Sequence, residues 1–300
     1  MQFRNVLVFS DGQPRSERAL RVGARLARRS GGRLAILHVA GGGRIRDPLL
    51  GEALGALQVE QVEKLRALAA ELGVEADAEL RTGRAFEEII RKVLRDGCDL
   101  VVKSARGRER SGWPLLGSTA QHLVRKCPVP VWLVGDDGEA EPRRVLALLA
   151  GGPASDERTA LDRRVLEVAC SLGTASGARV RVAAAWDAPG AGLLAGRVPA
   201  AEIEAWVEGE RRDAEDALGK ALQGFEGRIH PAHVDLVRGV AERELVALAE
   251  RHADLVVLGT SPPEGGAGLL IREEAEDVIN RLDRSVVAVK PEGFVSPVSV

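Results

Sequence analysis

Tyrosine is missing altogether from this 300-residue chain, and four tryptophans with five phenylalanines are its whole aromatic complement. So few rings leave no base-stacking platform for nucleic acid and no aromatic cage for a quaternary ammonium. Cysteine is scarcer still. Cys98, Cys127 and Cys170 are an odd number at spacings that fit neither a zinc site nor a redox motif, so they read as small buried thiols of a reducing compartment. Charge of one sign is lacking too: 42 basic residues face 44 acidic ones, and with only six lysines the bases are almost all arginines scattered along the chain. Neither a basic stripe of the kind that tracks a phosphate backbone nor a charged tail forms. Every apolar run falls well short of the roughly 18 residues that would cross a bilayer. The opening Met1-Gln-Phe-Arg-Asn-Val-Leu-Val-Phe-Ser-Asp-Gly12 carries no basic leader, long apolar stretch or cleavage site. The expectation is a cytoplasmic protein that partners neither membrane nor nucleic acid.

What is present is a globular balance of 45% hydrophobic and 29% charged residues, long enough for two domains that each bury a core without disulfides or metal. The two halves repeat each other. Asp99-Leu-Val-Val-Lys-Ser104 lines up with Asp254-Leu-Val-Val-Leu-Gly259, and the offset of 155 holds through Val129-Pro-Val-Trp-Leu-Val134 against Arg284-Ser-Val-Val-Ala-Val289. Upstream, Leu80-Arg-Thr-Gly-Arg-Ala85 matches Leu236-Val-Arg-Gly-Val-Ala241, and Asn5-Val-Leu-Val8 matches Arg144-Val-Leu-Ala147. Between the halves, Gly135 to Arg143 is polar, contains glycine and proline, and lacks apolar periodicity. This predicts a first domain over 1–137, a linker over 138–143 and a second domain over 144–300.

Within the first half, β-branched runs predict strands over Arg4–Ser10, Arg33–Val39, Glu75–Leu80, Asp99–Lys103 and Val129–Val134. Helical patterns fill the gaps at Ser16–Arg29, Leu49–Leu72, Ala85–Arg95 and Ser118–Lys126. Leu57, Val62, Leu65, Leu68 and Leu72 recur at three- and four-residue spacing, which predicts one buried helical face. Central strands that are apolar throughout are those covered by helices on both sides. The fold class is therefore α/β, two tandem doubly wound parallel five-stranded sheets, with ligands expected outside the carboxyl ends of the strands. The last strands, Val129–Val134 and Arg284–Val289, are apolar edges that must be paired or covered.

The loops at those carboxyl ends carry the candidate chemistry. Ser10-Asp11-Gly12 follows strand one, placing an acid before a sharp turn. Ser104-Ala-Arg-Gly107 follows strand four, and after nine more residues Gly117-Ser118-Thr119 opens a helix whose free N–H groups and dipole favour phosphate oxygens. A plain helix cap is the alternative reading of Gly117-Ser118.

Asp99-Leu-Val-Val-Lys-Ser-Ala-Arg-Gly107, the nine-residue spacer, Gly117-Ser118 and Lys126-Cys-Pro-Val-Pro-Val131 resemble a universal stress protein domain. The second half resembles the same family, and its ending Val289-Lys-Pro-Glu-Gly-Phe-Val-Ser-Pro-Val298 is similar to the tail of the tandem, E-type members. The resemblance implies the adenine nucleotide alpha hydrolase-like fold, edge strands that pair the two domains, and a stress-response regulator of little or no catalytic activity. A homodimer and a regulatory protein partner are further expectations. It also implies ATP with Mg2+ in the first domain alone, held by Asp11 beside the ribose, the Val39 backbone at adenine, and Ser104, Gly107, Gly117, Ser118 and Thr119 around the phosphates. Ser104 departs from the family's glycine there and predicts a narrower cradle. In the second half Gly259 is kept, but Pro262, Arg272 and Glu273 replace the second glycine, the third glycine and the hydroxyl, and Ala150 stands where the first half has Asp11. That site reads as degenerate for ATP, with an apolar small molecule as an alternative ligand.

Rival readings are a slow ATPase or phosphotransfer enzyme using the same pocket, and a nucleotide-free interaction or ligand-carrying protein. Asp11 lacks a second convergent acid, so it reads as a turn or ribose residue rather than a catalyst. His230-Pro-Ala-His233 reads as loop histidines rather than a metal site, and His122 as a structural residue. Lys103 reads equally as a phosphate partner or a solvent-facing residue. Arg106, Arg108 and Arg110, interrupted by Glu109, read as a loop over the nucleotide. Neither a Gly-x-x-x-x-Gly-Lys loop nor a Ser-His-Asp arrangement occurs.

Overall fold

The β-branched runs form strands and the amphipathic stretches between them form helices. In the first half these are β1 (Asn5–Ser10), α1 (Arg15–Ser30), β2 (Arg33–Gly41), α2 (Pro48–Glu71), β3 (Ala76–Gly83), α3 (Ala85–Asp96), β4 (Leu100–Ser104), α4 (Ser118–Lys126) and β5 (Val131–Val134). The second half contains β6 (Arg144–Leu149), α5 (Asp156–Ser176), β7 (Arg179–Trp186), the single turn α6 (Ala191–Leu194), α7 (Ala200–Leu222), β8 (Val234–Arg238), α8 (Ala241–His252), β9 (Leu255–Gly259), α9 (Arg272–Arg281) and β10 (Ser285–Val289). This computed structural model describes residues 2–41, 48–105, 116–135, 141–149, 155–260 and 272–299.

The strands form one ten-stranded sheet in the order β3-β2-β1-β4-β5-β10-β9-β6-β7-β8. Each half is a parallel, doubly wound set of five, and the two sets meet where β5 pairs antiparallel with β10. Across that seam Val286 lies opposite Leu133, Val287 opposite Trp132 and Ala288 opposite Val131. Strand-end contacts repeat faithfully between the halves. Asp99 Oδ2 accepts from the N–H groups of Arg4 (2.6 Å) and Asn5 (3.1 Å), and Asp254 Oδ2 accepts from those of Arg143 and Arg144, both at 3.0 Å. In each case the carboxylate before the fourth strand satisfies the first donors of the central one.

Period-two alternation sends side chains to two cores. Val6, Val8, Val102 and Trp132 face α1, while Leu7, Val101 and Leu133 face α3 and α4. The α1-side core runs on without a break to Val145, Val257 and Val287 beneath α5, so the two halves share it. All three cysteines are buried and free, and burial pushes the thiols of Cys98 and Cys127 up to about 11 and about 12. Among the described residues no helix is long and apolar enough to cross a membrane.

One sequence expectation needs correcting. Val62 and Leu65 of α2 are buried, but Leu57 is 60% exposed, and Leu49, Leu50 and Leu54 are exposed with it. The helix has 24 residues and spans about 36 Å, against about 27 Å for the eight residues of β3 beneath it. Its first turns project past the sheet, so apolar spacing there does not bring burial.

Helix α1 approaches β1 closely because Gly23 has no side chain. A Cβ there would lie 2.3 Å from Cγ2 of Val8. Gly23→Ala gains up to about 1 kcal/mol of helix propensity but overpacks this contact, which costs about 1–3 kcal/mol. Urea unfolding should show the variant destabilised by about 1–2 kcal/mol; equal or greater stability would mean that α1 does not depend on this approach.

Candidate functional site

The site is assembled at the carboxyl ends of β2, β1 and β4, with α4 beginning beside β4. Beyond β1, Asp11 Oδ1 accepts from the Gln13 N–H (3.1 Å) and the Ser16 hydroxyl (2.8 Å), and Ser16 Oγ in turn accepts from the Asp11 N–H (3.2 Å). This reciprocal pair fixes the carboxylate at the start of α1. Its Oδ2 makes no hydrogen bond to a described residue, which leaves an acceptor for a ligand hydroxyl. Gly12 has φ +76, and a Cβ on it would meet His38 Cε1 at 3.2 Å, so the turn needs glycine on both counts.

Gly117 caps α4. Its N–H donates to the Ala105 carbonyl at 3.3 Å, and the Ala105 N–H donates to the Val134 carbonyl at 2.8 Å, which ties the helix start to the end of β4. No side chain caps this helix. Its first-turn N–H groups and positive dipole end are therefore left to water or an anion, with the Thr119 side chain half-buried and that of Ser118 exposed beside them. Val39, near the end of β2, is buried on the same side of the sheet as Leu116.

Ser104 is placed differently from the sequence expectation of a side chain narrowing the cradle. It pairs with Val134, which belongs to the α1-side core, so its side chain points toward α1 and lines a cavity with Arg15 and Arg18. The counterpart of Ser104 in the second half is Gly259. A Cβ on Gly259 would meet the Leu161 side chain of α5 at 2.8 Å, so the glycine there makes room for that leucine. Arg15 takes the place of that leucine in α1, and Ser104 fits.

Lys103, the neighbour of Ser104, faces the α4 side, because it pairs with Leu133. It is 3% exposed, which removes the solvent-facing alternative, and its Nζ donates to the Ser104 carbonyl. Burial lowers its pKa to about 8, with Asp11 opposing the shift and Arg15 adding to it. His38 is a site residue that sequence reasoning missed. It is buried on β2 opposite Ser10, and its Nδ1 has no hydrogen-bond partner. Burial lowers its pKa, while the Ser10 carbonyl and Asp11 raise it. A polar residue inside the apolar run Leu34-Ala-Ile-Leu-His-Val-Ala40 was the available signal.

Gly107 and the Arg106, Arg108 and Arg110 run lie outside the described residues, as do Ala150, Pro262, Leu269 and Leu270. In the second half Gly259 ends β9, and α9 begins at Arg272 and Glu273.

Because Lys103 has a lower pKa folded than unfolded, the unfolded chain binds its proton more tightly between pH 8 and 10.5. Stability from this residue rises with pH across that window, and below it the full cost of a buried ammonium remains. Lys103→Met should therefore be more stable than the native protein at pH 7 by roughly 1–3 kcal/mol, and the advantage should shrink as the pH rises toward 10.5. A gain independent of pH in denaturant titrations would show that packing, not charge, is responsible.

The model of the universal stress protein family matches residues 2–135 and again residues 154–290. Universal stress protein E of Escherichia coli K12 is 29% identical over 221 residues, covering 72% of this chain and 68% of its own. A universal stress protein of Thermus aquaticus is 35% identical over 136 residues, 44% of this chain and 98% of its own. Among solved structures, a universal stress protein from Archaeoglobus fulgidus superposes with a TM-score of 0.68 over 97% of this chain and 100% of its own, at 19% identity. With both halves matched by one family model and the tandem fold shared end to end, the chain belongs to the universal stress protein family and carries two of its domains in series.

Proposed function

We propose that the first domain binds ATP with Mg2+ at the carboxyl ends of β2, β1 and β4, and that the protein is a nucleotide-dependent regulator of the stress response. The observation that carries this reading is the direction of Ser104. The one departure from the family's glycine pattern among the described residues of this half points toward α1 and not toward the start of α4, where the uncapped first-turn N–H groups lie. β2, which carries Val39, and β4, beside which α4 begins at Gly117, flank β1 and lie about two strand spacings, roughly 10 Å, apart, comparable to the reach of a nucleotide from base to phosphate. Asp11 Oδ2 supplies an acceptor between them for a ribose hydroxyl, and Lys103 supplies positive charge beneath the phosphates. In the second domain the sequence has Arg272 and Glu273 where the first has Gly117 and Ser118, so the glycine and the hydroxyl of that motif are both missing. One nucleotide per chain is expected. ATP would act by favouring one conformation or assembly over another. Free thiols held well above neutral pH by burial suit the cytoplasm.

Titration calorimetry with ATP and Mg2+ tests the assignment. Native protein should bind one equivalent. Gly117→Asp, which puts a like charge at the phosphates, should weaken binding by at least about a hundredfold, and Asp11→Ala by about tenfold through the lost ribose contact. Unchanged affinity in Gly117→Asp would place the nucleotide elsewhere or exclude it.

A further inference from the structure

We propose that the cavity between the start of α1 and the ends of β4 and β5 is a second ligand site, one that takes a phosphate-bearing small molecule. The cavity has a volume of about 330 Å3 and is lined by Pro14, Arg15, Arg18, Ser104, Val134 and Gly135. It lies on the α1 face of the sheet, opposite the face covered by α4, so it goes beyond the nucleotide reading and does not depend on it.

Arg15 provides the main argument. Its guanidinium makes no hydrogen bond or ion pair with a described residue, and its Nε is shut off from solvent without a partner. A buried N–H left unmatched is costly, and the rest of the half-buried guanidinium stays available to an acceptor that enters the cavity. Arg18, on the next turn of the same helix face, spends one N–H on the Gly135 carbonyl at 3.2 Å and keeps the rest of its fork. None of the described lining residues carries a carboxylate to neutralise the pair. The positive end of the α1 dipole points the same way. Two guanidinium groups and a serine hydroxyl around one cavity match the double charge and three acceptor oxygens of a phosphate monoester.

The duplicated half provides the control. Counting back from Gly31 and Gly177, which end α1 and α5, Leu161 holds the position of Arg15, and it lies against Gly259, the counterpart of Ser104. There hydrocarbon fills the space. Exchanging the leucine and glycine for arginine and serine leaves the same place in the first half open and polar. The fold does not require that exchange, since the second half manages without it.

Inorganic phosphate is the probe, titrated into the full chain at low ionic strength against sodium chloride of matched ionic strength, with the melting midpoint and calorimetry as readouts. Native protein should show a saturable rise in midpoint with phosphate but not with chloride. Arg15→Leu, which copies the second half, should bind phosphate at least about tenfold more weakly, and Arg15→Lys should retain part of the response. Gly117→Asp, which blocks the α4 cradle, should keep a saturable phosphate response that is lost on adding Arg15→Leu. No response beyond that to chloride, or an undiminished response in Arg15→Leu, overturns the proposal. A response lost in Gly117→Asp but kept in Arg15→Leu also overturns it and assigns the phosphate to the nucleotide cradle, whereas failure of ATP to bind in calorimetry bears on the nucleotide reading alone.

Discussion

The pairing of β5 with β10 is the contact on which the rest of the architecture depends. All four residues of β5 and all five of β10 are buried, and either strand left at an edge would expose both a ladder of backbone donors and acceptors and a continuous apolar surface. Pairing them removes both liabilities at once and brings α1 and α5 together over a shared core. Polar contacts then close the seam at its margins: Arg29 donates to the Ala175 carbonyl at 3.1 Å and pairs with Glu141 at 3.1 Å, and the Gly135 N–H donates to Ser285 Oγ at 3.1 Å. The exposed ion pair adds little energy by itself. Its value lies in positioning the chain that crosses from one half to the other.

Once the seam is fixed, the two halves can be compared residue by residue, and several of their differences lie at the carboxyl ends of the strands. The strand-start clamps of Asp99 and Asp254 are the same, and so are the glycine caps at Gly31 and Gly177. At the carboxyl ends the first half has His38, Ser104 and Gly117 where the second has Ala184, Gly259 and Arg272, and α1 has Arg15 where α5 has Leu161. Scaffold positions are held by the geometry of the sheet, whereas loop-end positions are held only by whatever they contact. A duplicated fold can therefore keep one ligand chemistry in one half and lose it in the other without cost to the frame.

The frame was largely legible in the sequence because fully buried parallel strands announce themselves as continuous apolar runs, and the repeat doubled the signal. The observed strands extend or shift by a few residues from the predicted ones, mainly in β2 and β3, where pairing continues into residues with no apolar pattern. Leu57 was misread because spacing reports which residues share a helix face, not whether that face meets a partner. His38 was hidden by its neighbours: within an apolar run a single polar residue carries no sign of whether it sits mid-strand or at the functional end. Ser104 was the most instructive case. Its residue type suggested obstruction, but its effect depends on its parity relative to Val102 and Trp132 and on which helix covers that face, and the second fact comes only from packing.

That parity also has an electrostatic consequence. Consecutive residues of β4 serve opposite faces of the sheet, so Lys103 lies under the α4 cradle while Ser104 opens onto Arg15, with Asp11 close enough to influence Lys103. The Arg15 charge disfavours the protonated form of Lys103, and the Asp11 charge favours it. Neutralising Arg15 would remove one of the two influences that lower Lys103, the smaller one beside burial. Under the two proposals, one buried ammonium would stand between an anion at Arg15 and phosphates beside α4, and the link between them would be electrostatic.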